Sequence, residues 1–220
     1  MVFENNTVYN KKTKTQKISF LEAVTFTYFE RVSLSATGFY KTPGVNFDRE
    51  SGTGNPFFYF AFGMAVSEVE LDVLTGKYKF LRADIIHDVG RSINKKIDIG
   101  QVEGAFIQGV GWVTNEEMKY DEKGNLLNHS PDTYKIPGVN DIPVIFNVHL
   151  LEGAPQPKTI RRSKAVGEPP FMLAFSTWLA IKDAVSAVAD HRIEPEFSIP
   201  ATHEKILLSI DKLKRESCEI

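Results

Sequence analysis

Cysteine is nearly absent from the sequence: Cys218 is the only one among 220 residues. A single cysteine cannot form a disulfide within the chain, and it cannot supply the ligand set of a cysteine-bound zinc site or an iron–sulfur cluster. The chain also lacks an unbroken apolar run of about 18 residues, the length that a transmembrane helix requires. Its first residues contain no apolar signal-peptide core. These absences predict a soluble protein of a reducing, cytoplasmic compartment, with no membrane partner.

The sequence also lacks a strong excess of charge. Its 26 basic and 28 acidic side chains leave a formal net charge of −2, which does not favour a nucleic acid or an anionic membrane as a partner. Phenylalanine, by contrast, is frequent, with 16 residues. So many large apolar rings predict a dense core or a buried contact with another domain. The length suits one large domain or two small ones.

Capping and alternation patterns predict the main elements. The sequence S-x-x-E, formed by Ser19 and Glu22, predicts a helix over 19–32. Alternating apolar and acidic residues predict a strand in "MAVSEVELDVL", and Thr75-Gly76 then supplies a turn into a second strand, "KYKFLRADIIHDVG". A third strand is predicted in "IPVIFNVHLL", and helices in "PPFMLAFSTWLAIKDAVSAVAD" and from Thr202 onwards. Hairpins and helices mixed without a regular βαβ order predict an α+β fold.

Two glutamines and two glycines recur at helical spacing in "DIGQVEGAFIQGVGW". Asp98 is interpreted as the N-cap of this helix. Gln101, Gly104, Gln108 and Gly111 follow at steps of three and four residues and are predicted to share one face. Amide side chains between glycines form a smooth surface that can donate and accept hydrogen bonds, as a polar cofactor needs. Close packing of the helix against a neighbouring backbone explains the same pattern equally well.

A lone carboxylate stands in the confined sequence "RRSKAVGEPPFMLAF". Gly167 allows the backbone to approach a ligand, and Pro169 favours an extended conformation for Glu168. At the start of a helix the dipole favours the ionised carboxylate, whereas burial opposes it. That balance suits a general base that works near neutral pH. The alternative is that Glu168 only caps the helix.

The histidines do not occur at any metal-ligand spacing, so no metal bound by side chains is predicted. For His87 and Asp88, at the end of a strand, a small polar network is one interpretation, and a structural histidine with satisfied hydrogen bonds is the favoured one.

Seven uncommon strings occur in order along the chain: "RVSLSATGFYKTPG", "NPFFYFAFGMAVSEVELDVLTG", "DIGQVEGAFIQG", "TYKIPG", "SKAVGEPPFMLA", "AIKDAV" and "PATHEKI". Together they resemble the molybdenum hydroxylases, and within that family the xanthine dehydrogenases. The resemblance extends over about residues 31–210. The related aldehyde oxidases share much of the pattern and remain the near alternative.

The resemblance implies that residues 1–220 are the C-terminal part of a molybdopterin-binding domain, with mixed hairpins, sheet and packed helices. It implies a homodimeric parent enzyme that also carries FAD and two [2Fe–2S] clusters outside this chain. The parent would oxidise hypoxanthine and xanthine to urate and pass electrons to NAD. It would work in the cytoplasm, or alternatively in the peroxisome. The remaining domains and a purine substrate are then the partners of this chain.

The resemblance also implies roles for four residues. Glu168 matches the glutamate of the family's Gly-Glu-Pro motif, the general base that activates the oxygen nucleophile. Gln101 matches a glutamine that hydrogen-bonds the pterin, Gln108 is a weaker match, and Gly167 would contact the cofactor through its backbone. Because most of the pocket lies upstream, the isolated chain is expected to be inactive. Two other readings stay open: an aldehyde oxidase fragment, or a non-catalytic subunit that docks on a separate molybdenum protein.

Overall fold

A computed structural model describes residues 1–14, 17–155 and 158–217. Cys218 lies outside the described residues. The chain forms two compact units, Met1–Pro43 and Gly44–Ile220. The interpretation of 1–220 as part of a single molybdopterin-binding domain stays a prediction.

The first unit is a small antiparallel sheet followed by a helix. Its strands are β1 (Val2–Glu4), β2 (Thr7–Tyr9) and β3 (Lys17–Ser19). The helix α1 (Phe20–Phe29) begins with the predicted capping box: Glu22 N donates to Ser19 Oγ at 3.1 Å, and Ser19 N donates to Glu22 Oε2 at 2.8 Å. The helix ends at Phe29, shortly before the predicted end at 32.

The second unit is built on a three-stranded sheet in the order β6-β7-β8. It starts with a short hairpin of β4 (Asn46–Asp48) and β5 (Thr53–Asn55). The predicted long hairpin is confirmed as β6 (Gly63–Leu71) and β7 (Tyr78–His87), which pair antiparallel. The predicted third strand is β8 (Ile145–Leu150), and it lies parallel to β7.

Three helices complete this unit: α2 (Lys95–Thr114), α3 (Phe175–Ser186) and α4 (His203–Ser217). A 3-10 turn at Pro169–Ala174 leads into α3. One core cluster joins the sheet to α2 and is centred on Phe106, which is fully buried among Phe80, Ile85, Val102 and Val110. A second cluster joins α3 to α4; it consists of Ile181, Val185, Ala189, Ala201, Ile206, Ile210 and Leu213.

The predicted start of α2 is wrong by one turn. Asn94, and not Asp98, is the N-cap: its side-chain oxygen accepts from Lys96 N at 3.2 Å and Ile97 N at 3.4 Å. Asp98 lies inside the first turn, where its carboxylate accepts from Ser92 Oγ at 2.5 Å. Asparagine and aspartate are both common N-caps. Asn94 takes this position because its side-chain oxygen reaches the first free backbone N–H groups of the helix.

The helical stretch Pro169–Ala189 is long and apolar enough, by length and composition alone, to cross a membrane. No such stretch was expected from the sequence. Its buried residues Ile181 and Val185 pack against Ile206 and Ile210 of α4. A core helix of a folded domain can have the same length and composition; of the apolar window in this stretch, 28% is buried.

Candidate active site

One side of α2 faces open space. Gln101, Gly104 and Gln108 are exposed, whereas Val102 and Phe106 on the opposite side are fully buried. A Cβ atom added at Gly100 or Gly104 would meet no other atom within 4 Å. We call this surface, formed by Gly100, Gln101, Gly104 and Gln108, the open face of α2. It leaves room for a group that approaches the helix backbone closely.

Gly109 and Gly111 of α2 allow close packing against neighbouring chain segments. Close packing therefore explains these two glycines, whereas Gly100 and Gly104 leave open space. A Cβ at Gly109 would lie 2.3 Å from the Phe171 carbonyl oxygen and 2.7 Å from the Cβ of Ala174. A Cβ at Gly111 would lie 2.4 Å from ring atoms of Pro137. Gly111 follows Gly104 by seven residues on the same helix, as the spacing predicts, but Pro137 from the loop before β8 covers it, so Gly111 is not part of the open face.

Glu168 precedes the 3-10 turn Pro169–Ala174. Its backbone is helical (φ −96°, ψ −33°) and not extended, because its carbonyl oxygen accepts from Phe171 N at 2.9 Å and so closes the first turn. This hydrogen bond outweighs the preference that the following proline imposes. The side chain is exposed and makes no capping hydrogen bond, so the capping alternative is wrong for the described structure. The carboxylate is thus free for another role.

The segment that contains Glu168 is fixed at both ends. We call residues 164–171 the base segment. At its start, Lys164 N donates to the Val89 carbonyl oxygen at 2.9 Å, next to a β-bridge between Gly90 and Ser163. At its end, Phe171 packs against Gly109.

The second anchor joins the base segment to α2, since the Phe171 carbonyl oxygen lies at Gly109, the residue after Gln108. Glu168 precedes this contact by three residues. At Gly167, an added Cβ would meet nothing within 4 Å. That Glu168, Gly167, Gln101 and Gln108 share one cofactor site stays a prediction.

A buried ion pair fastens the start of the base segment. The Lys164 ammonium contacts the Asp88 carboxylate, and the two side chains are 5% and 0% exposed. Lys164 Nζ also donates to the Phe60 carbonyl oxygen at 2.9 Å, and Asp88 Oδ1 accepts from Gly90 N at 2.8 Å. The sequence indicated a polar network at Asp88, but it did not reveal the partner, which lies 76 residues away.

His87 is buried beside this pair. Neither ring nitrogen has a hydrogen-bond partner among the described residues, so the favoured interpretation of a structural histidine with satisfied hydrogen bonds is wrong for His87. Burial lowers the pKa of His87 below its ordinary value, the nearby Lys164 ammonium lowers it further, and the Asp88 carboxylate opposes both. His87 is therefore neutral in the folded protein at neutral pH.

The neutral state of His87 makes the fold sensitive to acid. The unfolded histidine binds a proton near pH 6.5, whereas the folded one binds it only at lower pH. The stabilising contribution is therefore complete above about pH 6.5 and is lost as the pH falls through the folded pKa. We expect the urea midpoint of the chain to fall between pH 7.5 and 5.5, and to fall less in His87→Leu. An equal fall in His87→Leu and in a control at the exposed His129 would contradict this.

A cleft of about 800 Å³ lies elsewhere, at the C-terminal end of α2. Thr114, Asn115, Lys135 and His203 are among its lining residues, and none of Glu168, Gln101, Gln108 or Gly167 lines it. It is therefore separate from the open face of α2.

The open face and the base segment fit one wall of a site for a polar organic cofactor. Two exposed amides can hydrogen-bond its edge, and Gly104 and Gly167 leave space beside the backbone. Among residues 1–14, 17–155 and 158–217, no three His, Cys, Asp or Glu side chains are grouped to hold a metal ion.

Comparison with known sequences shows which proteins this chain is similar to. The sequence model of the molybdopterin cofactor-binding domain matches residues 1–143. The chain is 52% identical over 201 residues to the xanthine dehydrogenase/oxidase of Felis catus, an alignment that covers 89% of this chain and 15% of the relative. It is 50% identical over 202 residues to the xanthine dehydrogenase of Dictyostelium discoideum, again covering 89% and 15%. The chain thus spans about 15% of the length of these curated relatives.

Solved structures show the same fold. A Cu,Mo-CO dehydrogenase superposes with a TM-score of 0.60 at 25% identity, covering 70% of this chain and 19% of that one. Quinoline 2-oxidoreductase from Pseudomonas putida 86 superposes with a TM-score of 0.59 at 29% identity, covering 66% and 18%. Both support the predicted α+β architecture.

Proposed function

We propose that this chain, which belongs to the molybdopterin cofactor-binding domain family, forms one wall of the active site of a xanthine dehydrogenase. The enzyme would hydroxylate hypoxanthine and xanthine to urate. The observation that carries the proposal is the packing of Phe171, three residues after the exposed Glu168, against Gly109 of α2, next to Gln108. Identities of about half to xanthine dehydrogenases support the substrate class.

Each residue of this wall has a distinct task. The bound cofactor supplies the molybdenum and accepts the electrons of the oxidation. The amides of Gln101 and Gln108 hydrogen-bond the cofactor edge, and Gly104 and Gly167 allow it to approach the backbone. A carboxylate oxygen of Glu168 accepts the proton of the oxygen nucleophile, as a general base does. The Glu168 side chain is exposed and makes no capping hydrogen bond, which leaves its carboxylate available.

The full-length enzyme is proposed to contain the remaining domains, with FAD and two [2Fe–2S] clusters that pass the electrons to NAD. It is proposed to be a cytoplasmic homodimer. In this arrangement the isolated chain holds too little of the cofactor site to be active.

The substrate class is tested with the purified full-length enzyme. Turnover of hypoxanthine, xanthine and an aromatic aldehyde is measured with NAD and with oxygen as electron acceptors. We expect xanthine to have a kcat/KM at least tenfold above that of the aldehyde. A preference for the aldehyde would replace the proposal with aldehyde oxidation, and loss of all turnover in a molybdenum-loaded enzyme would refute both.

Two substitutions at Gly104 distinguish an effect on folding from an effect on cofactor binding. Because an added Cβ meets nothing within 4 Å, Gly104→Ala should leave the chain folded and raise its stability by up to about 1 kcal/mol, the helix preference for alanine. Gly104→Leu in the full-length enzyme should lower the molybdenum content at least tenfold, because the side chain fills the space of the cofactor. Metal analysis and urea unfolding measure the two effects. Normal molybdenum content in Gly104→Leu would show that the open face does not bind the cofactor.

A further inference from the structure

We infer that the buried ion pair between Asp88 and Lys164 positions Glu168, so that these two residues are positioning residues of the site. The inference rests on the proposed function, in which Glu168 is the base. Neither residue reaches the open face itself: their side chains are 0% and 5% exposed. They act on Glu168 through the backbone of the base segment.

The pair attaches the base segment at its N-terminal end. The Lys164 ammonium contacts Asp88 and donates to the Phe60 carbonyl oxygen at 2.9 Å, so it joins the segment to two separate parts of the chain. The next residue, Ala165, donates its N–H to Tyr59 Oη at 2.8 Å. Asp88 in turn accepts from Gly90 N at 2.8 Å, at the β-bridge to Ser163. Together with the bond from Lys164 N to the Val89 carbonyl oxygen, four polar contacts of Lys164 and Ala165 hold this end.

Between Lys164 and Phe171 two further residues of the segment are packed: Val166 lies partly buried against the core cluster of Phe106, and Pro170 is buried. Gly167 and Glu168 lie between these two. Gly167 has no neighbour at the Cβ position within 4 Å, and the Glu168 side chain is exposed and forms no capping bond. The backbone from Lys164 thus fixes the start of a short path to Glu168, four residues later. A general base must stay within hydrogen-bond reach of the proton that it removes.

The choice of an ion pair itself points to positioning. An apolar pair of similar volume stabilises a fold as well as or better than a buried ion pair. A charged pair with hydrogen bonds on both partners fixes direction as well as distance. Here the ion pair fixes the direction in which the base segment continues from the β-bridge between Gly90 and Ser163.

The test uses the full-length enzyme and the variant Lys164→Met, with Lys212→Met as the matched control. Lys212 lies on α4, and its ammonium forms an exposed ion pair with Glu196 at 2.8 Å. The first measurement is amide hydrogen exchange in peptides that cover 164–171, which needs no catalysis. The others are molybdenum content, and kcat and KM for xanthine per bound molybdenum. The neutral pair Asp88→Asn with Lys164→Gln serves if Lys164→Met does not fold, because it keeps hydrogen-bonding groups on both sides.

We expect exchange in the base segment to rise at least tenfold, and kcat per molybdenum to fall about tenfold to a hundredfold with KM changed less than threefold. Combined with Glu168→Gln, Lys164→Met should add less than twofold, since a base that is absent cannot be misplaced. The control should match the unaltered enzyme.

Unchanged exchange, or unchanged kcat per molybdenum with only a lower yield of folded enzyme, would show that the pair serves stability alone. If Lys164→Met lowered kcat by the same factor in the Glu168→Gln enzyme as in the unaltered enzyme, the inference would be overturned as well. Failure of the proposed function is distinct: Glu168→Gln alone would then leave turnover within tenfold, whatever the exchange shows.

Discussion

Replacing Glu168 with glutamine in the full-length enzyme is expected to lower kcat for xanthine by about 10²- to 10⁴-fold, the usual contribution of a general base. Glutamine keeps the size of the side chain and cannot accept the proton. KM should change little, because the amide can still occupy the same place beside the cofactor. The measurement is steady-state turnover per bound molybdenum, which separates lost chemistry from lost cofactor.

A matched control replaces another exposed glutamate, Glu194, which pairs with Lys182 at the far side of α3. Glu194→Gln should retain full turnover. If Glu168→Gln or Glu168→Ala keeps xanthine turnover within about tenfold, worth ~1.4 kcal/mol of barrier, the assignment of the base is wrong.

Replacing Phe106 with alanine is expected to lower the free energy of unfolding of the chain by about 3–5 kcal/mol. Phe106 is fully buried, and its ring lies 6.3 Å from Phe80 and 5.7 Å from Phe146, centroid to centroid. Its removal opens a cavity between α2 and the sheet that these neighbours cannot fill without leaving their own contacts. Urea unfolding followed by fluorescence or circular dichroism measures the change.

The control for that experiment is Phe39→Ala. Phe39 is 91% exposed, so its removal should change the unfolding free energy by no more than about 0.5 kcal/mol. A loss below about 1 kcal/mol for Phe106→Ala would mean that the core between α2 and the sheet is loose enough to collapse around the missing ring.

Local patterns in the sequence predicted the local structure well. Ser19 and Glu22 form the expected capping box, and the alternation around Ala65 and Val69 gives the expected strand β6. Each depends on groups that are neighbours in the chain. The N-cap at Asn94 was missed because two good capping residues lie four positions apart, and only the path of the preceding chain decides between them.

Contacts between distant parts of the chain could not be read in this way. The helical spacing of Gly104 and Gly111 is regular, yet only the first faces open space, because Pro137 covers the second. Glu168 follows the geometry of its own 3-10 turn and not the preference of the next proline. Nothing near Lys164 in the sequence indicates that it is buried against Asp88. The resemblance to a known family supplied the candidate residues, whereas the packing of Phe171 against Gly109 of α2 required coordinates.

The parallel pairing of β8 with β7 bears on the order in which the second unit assembles. β6 and β7 meet through a short turn, whereas β8 reaches β7 only after α2 and the long connection behind it have been traversed. Closing the longer loop costs more conformational entropy, and this loss precedes the parallel contacts that offset it. The hairpin is therefore expected to form in the folding nucleus and β8 to dock afterwards. Destabilising changes in the hairpin should slow refolding, and those in β8 should mainly hasten unfolding.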